Sequence, residues 1–186
     1  MPSDPRHVTP DLRTLAGLFY SSLDELGRFV DAPVQNMPIS YQYLLAHTSH
    51  MTVAVEEFHR STVDVHVLAK VVTPSHYARK IMLSRASDGA MVQFGIMRVN
   101  FAYLSPVVRD EIVSEHIPLG RVLISHDVHR RVRLAGLWEV TPGPDLQKLF
   151  GLDGPRVTYG RTALIECNAE PAIELVEIVA PMEEKV

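Results

Sequence analysis

Cysteine is almost absent from this 186-residue chain, which contains only Cys167. A single cysteine cannot form an intramolecular disulfide, so the fold has to rest on a hydrophobic core, and we expect a reducing compartment. Cys167 ends the apolar, strand-like segment A-L-I-E-C. This setting favours a buried structural thiol over a nucleophile.

Long apolar runs are also missing. No stretch approaches the roughly 18 apolar residues that a membrane span requires. The N-terminal sequence M-P-S-D-P-R-H is polar and has no apolar signal region. We therefore expect a cytoplasmic protein with no membrane span, in which residues 1–8 form a loose tail.

The chain has no excess of positive charge, because 18 Lys and Arg residues stand against 22 Asp and Glu residues, a net charge of −4. A general nucleic-acid binder needs a basic face, so no nucleic-acid partner is expected. The one basic run, R-R-V-R at Arg130–Arg133, is interpreted as alternating solvent-facing residues of a strand.

Several catalytic motifs are absent as well. The sequence contains no G-x-G-x-x-G, G-x-x-x-x-G-K-[ST], H-E-x-x-H or G-x-S-x-G. These absences argue against binding of a nucleotide cofactor, against zinc peptidase chemistry and against the usual hydrolase nucleophile. His50 and His59 lack the i,i+4 spacing that places two metal ligands on one helical face, so no metal site is predicted.

The bulk composition is that of an ordinary globular protein, with 46% hydrophobic and 22% charged residues. Residues 1–186 are predicted to form a single domain with a substantial core. Thr9-Pro10 predicts the start of a helix that continues at helical spacing to Leu26 and ends at Gly27. A second helical region is predicted over 40–59, with a break near His47–His50.

From Val63 onward, apolar and polar residues alternate, which predicts a half-buried strand. The turn Ser87-Asp88-Gly89 predicts a hairpin between two further strands. Other strands are predicted over 128–140, 157–167 and 172–179, and other helices from Ser105-Pro106 and over 144–150. Long strands joined by short turns favour the α+β class, here a single antiparallel β-sheet with flanking helices.

Four short segments carry residues suited to binding a small acid. They are S-H-M-T around Met51, the predicted strand Y-A-R-K-I-M-L around Arg79, P-L-G-R at Pro118–Arg121, and the final strand around Glu177. A planar guanidinium such as that of Arg79 can hold a carboxylate through two charge-assisted hydrogen bonds. A carboxyl group with apolar neighbours, such as that of Glu177, can act as an acid, a base or a hydroxyl acceptor near neutral pH.

In order and rough spacing these segments resemble the chorismate pyruvate-lyase family, which removes pyruvate from chorismate to leave 4-hydroxybenzoate. The resemblance extends from about Tyr43 to Pro181, while Gly136–Gly154 departs from the family pattern and indicates a divergent member. It implies a chorismate-lyase-like fold with a small enclosed pocket. It also implies a carbon–oxygen lyase that uses no metal or organic cofactor and acts on a chorismate-like carboxylic acid.

The resemblance further implies roles for individual residues. Arg79 would hold the ring carboxylate and Glu177 would contact the ring hydroxyl, which makes these two the candidate catalytic residues. Substrate-binding roles would fall to Met51, Arg79, Leu119, Gly120 and Arg161. Of these, Arg161 is the second candidate for a substrate carboxylate, after Arg79.

Structural interpretations stay open for the same residues. Arg79 could be a solvent-facing strand residue, Glu177 could pair with Arg161, and P-L-G-R could be a turn that ends a helix. A function of another class also stays open. The chain could be a non-catalytic domain of the same fold that binds a small aromatic or carboxylic acid, as the effector-sensing domains of bacterial transcription regulators do.

Overall fold

A computed structural model describes residues 9–182 of the chain, so the tail predicted over residues 1–8 lies outside the described residues. The strands are β1 (Gly27–Asp31), β2 (Val63–Val72), β3 (His76–Arg85), β4 (Met91–Asn100), β5 (Arg130–Pro142), β6 (Thr158–Cys167) and β7 (Glu170–Val179). They form one antiparallel sheet in the order β1-β5-β6-β7-β4-β3-β2. The predicted α+β class with a single antiparallel sheet is confirmed.

Seven short helices accompany the sheet in the described part of the chain. They are α1 (Leu12–Ala16), α2 (Leu23–Leu26), α3 (Ile39–Leu45), α4 (Met51–His59), α5 (Pro106–Ser114), α6 (Leu119–Ser125) and α7 (Pro144–Phe150). Single 3₁₀ turns occur at Val34–Asn36 and Phe101–Tyr103. Within residues 9–182, none of the helices is long and apolar enough to cross a membrane.

Helices cover both faces of the sheet. The even-numbered side chains Met82, Phe94 and Val176 pack in one core with residues of α1, α2 and α7. The odd-numbered side chains of the same strands point the other way, toward two cores that include residues of α3 to α6. Because both faces are covered, β6 and β7 are buried along almost their whole length.

Tight turns fix the register of the strands that carry the site. In the predicted β3–β4 hairpin, Gly89 has φ of 73° and the Asp88 carboxylate accepts a hydrogen bond from the amide of Ala90. The β6–β7 turn is shorter than the predicted N-A-E-P, because Asn168 and Ala169, both at positive φ, make the turn alone. Pro171 already belongs to β7 and lies beside a register shift.

One prediction about a helix needs correction. The single helix predicted from Thr9 to Leu26 is two short helices, because Asp11 caps α1 and Ser22 caps α2 in a reciprocal capping box with Glu25. The strand β1, which follows directly at Gly27, was not predicted. The predicted break near His47–His50 is confirmed, since it separates α3 from α4.

We predict that Gly160→Ala destabilises the centre of the sheet. A Cβ at Gly160 would lie 2.7 Å from the carbonyl oxygen of Glu177 on the neighbouring strand, closer than a Cβ packs without movement. The free energy of unfolding, measured by urea titration, should fall by about 1–3 kcal/mol. Gly154→Ala is the matched control, because nothing lies within 4 Å of its Cβ position. Equal stability of the two variants would contradict this account of the β6–β7 contact.

Candidate functional site

One row of cross-strand neighbours crosses the middle of the sheet. Ile81 in β3 pairs with Gly95 in β4, Gly95 pairs with Glu177 in β7, and Glu177 pairs with Arg161 in β6. Gly95 has no side chain, so the row has a gap at its centre. A Cβ placed there would lie 3.2 Å from Cγ1 of Ile81. The gap forms the floor of a buried cavity.

The cavity gathers all the residues that the sequence indicated for acid binding. Its lining includes Met51, Arg79, Leu119, Gly120, Arg161 and Glu177. The sheet supplies the two arginines and the glutamate, while the first turns of α4 and α6 supply the rest and form a roof. The four sequence segments are thus brought together in space, although they lie far apart along the chain.

The segment P-L-G-R differs from its structural interpretation as a turn that ends a helix. Pro118 instead precedes α6, and Gly120 lies in the first turn of that helix. A Cβ at Gly120 would lie 3.1 Å from Cβ of His50 and 3.1 Å from Oγ1 of Thr52. The glycine therefore permits the close packing of the two helix N-termini that close the cavity.

Arg79 is fully buried, so its interpretation as a solvent-facing residue is wrong. Its Nη1 donates one long hydrogen bond of 3.3 Å to the carbonyl oxygen of Ile112, and its Nε has no partner. Among residues 9–182, no carboxylate forms a salt bridge with it. Burial lowers the pKa of Arg79, while Tyr77 and Glu115 oppose the shift. The cavity therefore contains a cation that lacks a direct counter-ion.

Arg161 and Glu177 form a buried ion pair instead. Nε of Arg161 donates to Oε2 of Glu177 at 2.7 Å. Its Nη1 and Nη2 donate to the backbone carbonyls of His47 and Ser49 in the α3–α4 connection. The pairing that the sequence left open as a structural alternative is thus present. All three nitrogens of Arg161 are already engaged by the protein, which leaves Arg79 as the free anion partner of the cavity.

Two cavity residues were not predicted to have a role. The first, His50, accepts a hydrogen bond of 2.6 Å from Nε of Arg130, a residue interpreted from the sequence as solvent-facing. Burial, reinforced by Arg130 and Arg161, lowers the pKa of His50 to about 4. His50 is therefore neutral at physiological pH and can accept the hydrogen bond of a cation.

The second residue is Gln93, which lies two positions before Gly95 on the same face of β4. Its side chain is 3% exposed, it lines the cavity, and its Oε1 has no hydrogen-bond partner. In the sequence, the only indication of a role for Gln93 is that it is a polar residue in the apolar run M-V-Q-F-G-I-M. That signal shows a polar residue in a strand but not which face it occupies or what surrounds it.

Other reactive groups lie outside the cavity. Cys167 is buried in a core, and burial raises the pKa of its thiol to about 11, which makes it a poor nucleophile. Over the described range 9–182, no group of three or more His, Cys, Asp or Glu residues could hold a metal ion.

The cavity is small in the structure. Its volume is about 40 Å³, which leaves room for about three water molecules. An aromatic acid is larger, so its binding requires part of the wall to move outward.

The fold is similar to that of several solved structures. PhnF from Mycobacterium smegmatis matches with a TM-score of 0.56 and 13% identity, over 75% of this chain and 70% of that chain. The effector domain of the same protein matches with a TM-score of 0.53 and 12% identity, over 71% of this chain and 88% of that chain. No protein-family model and no curated protein matches the chain. At such low identity, the similarity shows a shared fold and nothing further.

We predict opposite effects on stability when each buried arginine is replaced by methionine. Arg161→Met leaves Glu177 buried without its partner and should lower the free energy of unfolding by about 3–5 kcal/mol. Arg79→Met removes a buried charge that has no counter-ion, so the free energy of unfolding should stay unchanged or rise. Thermal and urea unfolding of the two variants measure the difference. If both variants lost the same free energy of unfolding, the fold would stabilise the buried charge of Arg79 to the same degree as that of Arg161, contrary to this prediction.

The lowered pKa of His50 predicts a pH-dependent stability. The unfolded chain takes up a proton on His50 near pH 6.5, whereas the folded chain does so only near pH 4. The stabilising effect of the neutral ring is therefore complete above pH 6.5 and is lost as the pH falls toward 4. Melting temperatures of His50→Gln, measured across this range, should fall less steeply than those of the unmodified protein.

The same comparison contains its own control. His47 and His59, whose pKa values burial also lowers, are present in both proteins. Any difference in slope therefore belongs to His50. Identical slopes would mean that His50 is protonated equally easily in the folded and unfolded states.

Proposed function

We propose that the chain binds a small organic acid in the buried cavity, with Arg79 as the partner of its carboxylate. The observation that carries this proposal is a fully buried guanidinium that lines a cavity and has no salt bridge within residues 9–182. A buried charge without a partner is costly. A carboxylate in the cavity would supply both the opposite charge and the missing acceptor for Nε.

The remaining charges of the cavity favour a single anionic group at Arg79. Arg161 and Glu177 neutralise one another through their hydrogen bond of 2.7 Å. His50 is kept neutral by burial and by the nearby arginines. The net charge of the lining is therefore about +1 and comes from Arg79, so an anion placed there would meet attraction without a competing carboxylate.

The apolar part of the wall suits a flat ring. Met51 and Leu119 from the roof face Ile81, Leu83 and other apolar residues of the sheet. Methionine and leucine side chains can adjust to the edge of a planar ligand, and methionine adds favourable contacts between sulfur and an aromatic ring. A small aromatic or cyclohexadienyl acid would satisfy both the apolar wall and the guanidinium.

A binding role without catalysis is our first candidate. The fold is shared with the effector domain of PhnF, which supports a ligand-sensing domain of this kind. The ion pair of Glu177 with Arg161 gives further support, because Oε2 of Glu177 is already engaged by the guanidinium of Arg161. On this proposal, Arg161 and Glu177 shape the cavity, and Arg79 binds the ligand.

Turnover of chorismate is the second candidate, and one observation favours it. Met51, Arg79, Leu119 and Glu177, the residues that the chorismate-lyase resemblance singled out, all line the same cavity. Oε1 of Glu177 has no hydrogen bond to the described residues and could contact the ring hydroxyl. In the reaction, the bond between the ring and the enolpyruvyl oxygen breaks, the ring loses a proton and becomes aromatic, and the departing group takes up a proton to become pyruvate.

Calorimetric titration with 4-hydroxybenzoate tests the binding proposal. The unmodified protein should bind, and Arg79→Met should weaken the affinity about 10- to 150-fold, the range expected for one hydrogen bond to a charged group. Arg28→Met is the matched control, because Arg28 is exposed on β1 and does not line the cavity. Equal affinities of the two variants would contradict the role of Arg79.

Incubation with chorismate, followed by chromatography, separates the two candidate functions. If the protein binds 4-hydroxybenzoate but releases no pyruvate from chorismate, the sensing function is supported and the lyase activity is rejected. Formation of 4-hydroxybenzoate and pyruvate, lost in Glu177→Gln, would establish the lyase. A folded protein that neither binds the acid nor converts chorismate would reject both candidates.

A further inference from the structure

Gln93 is a buried amide with no partner in the described chain. Its cross-strand neighbours are Leu83 on β3 and Val179 on β7, and neither side chain can form a hydrogen bond. Neither atom of its amide group is hydrogen-bonded to residues 9–182, and Oε1 is fully buried. Leaving a buried acceptor unpaired costs about 1–3 kcal/mol. A leucine or methionine at position 93 would avoid this cost. The presence of a glutamine is therefore explained best by a hydrogen-bond partner on a bound ligand.

Gln93 and Arg79 lie at opposite ends of the cavity floor. Arg79 is the cross-strand neighbour of Met97, and Met97 lies four residues along β4 from Gln93. At about 3.4 Å per strand residue, this places the two positions about 14 Å apart along the strand. Gly95 lies halfway between them and leaves the floor open. A ring above Gly95 would have the guanidinium at one end and the amide at the other.

The two unpaired atoms define what a ligand must offer. Nε of Arg79 is a donor and requires an acceptor, which a carboxylate provides. Oε1 of Gln93 is an acceptor and requires a donor, which a hydroxyl group provides. A hydroxyl group also fits the amide in its flipped orientation, because it can accept as well as donate.

We infer that Gln93 is a specificity residue that binds a hydroxyl group on the ligand, on the side of the ring opposite its carboxylate. This inference rests on the proposed binding of a small acid at Arg79 and narrows that class to hydroxy acids of para geometry. It assigns the hydroxyl contact to Gln93 and not to Glu177. Glu177 lies beside Gly95 at the middle of the floor and is paired with Arg161. Gln93 contacts the far end of the ligand and takes no part in proton transfer.

Calorimetric affinities of 4-hydroxybenzoate, 3-hydroxybenzoate and benzoate test the inference. The unmodified protein should bind 4-hydroxybenzoate at least about 10-fold more tightly than the other two acids, since a buried acceptor is satisfied only by the para hydroxyl. Gln93→Met should reduce this preference to about one while it leaves the affinity for benzoate unchanged. Arg79→Met should weaken the binding of all three acids.

The outcomes separate this inference from the proposed function. If Gln93→Met keeps the preference, or if the unmodified protein binds the three acids equally, the role of Gln93 is overturned while acid binding at Arg79 stands. If the unmodified protein binds none of the acids, the proposed function falls and the inference falls with it. Thermal unfolding provides the control for folding, because Gln93→Met removes an unpaired amide and should melt no lower than the unmodified protein.

Discussion

The constraint on which the site depends is the burial of the Arg79 guanidinium without a counter-ion. Among residues 9–182 the protein offers it one long hydrogen bond to Ile112 and favourable interactions with Tyr77 and the carboxylate of Glu115, but no salt bridge. Folding therefore removes a full charge from water and returns only part of the lost solvation energy. The unpaired guanidinium lowers the stability of the folded protein but favours ligand binding. A bound carboxylate can form the ion pair and the hydrogen bond that the fold does not supply to Arg79.

The neighbouring Arg161 shows what the same side chain does when the fold satisfies it. Its three nitrogens reach Glu177 and the carbonyls of His47 and Ser49, so it ties the α3–α4 connection to β7. That connection leads directly into α4, whose first turn is part of the roof. One arginine thus fixes the wall of the cavity, and the other remains available to a ligand. The difference comes from the partners that each strand position provides, since both residues are buried arginines on the same face of the sheet.

The sequence predicted most of what depends on neighbours along the chain. Alternation from Val63, the S-D-G turn and the long strands were enough for the antiparallel sheet, and the resemblance identified residues that do meet in one cavity. Properties that depend on register could not be predicted. Burial of Arg79 requires α5 and α6 above it, and the isolation of Gln93 follows from Leu83 and Val179 on other strands. The split of the first helix was missed because the caps at its interruption are weaker signals than its leucine spacing.

The small volume of the cavity indicates where a ligand would find space. The floor is formed by inner strands of the seven-stranded sheet, which are hydrogen-bonded to a neighbouring strand on both sides, and outward movement there would break several of these bonds. The roof consists of two short helices, which approach each other closely at Gly120 and are joined by the ion pair of Arg121 in α6 with Glu56 in α4. Separating α4 from α6 breaks no backbone ladder, so a ligand that binds Arg79 would open the roof and leave the sheet in place. The ligand's affinity is then reduced by the work of separating these helices, and a state in which they are already apart would bind it more tightly.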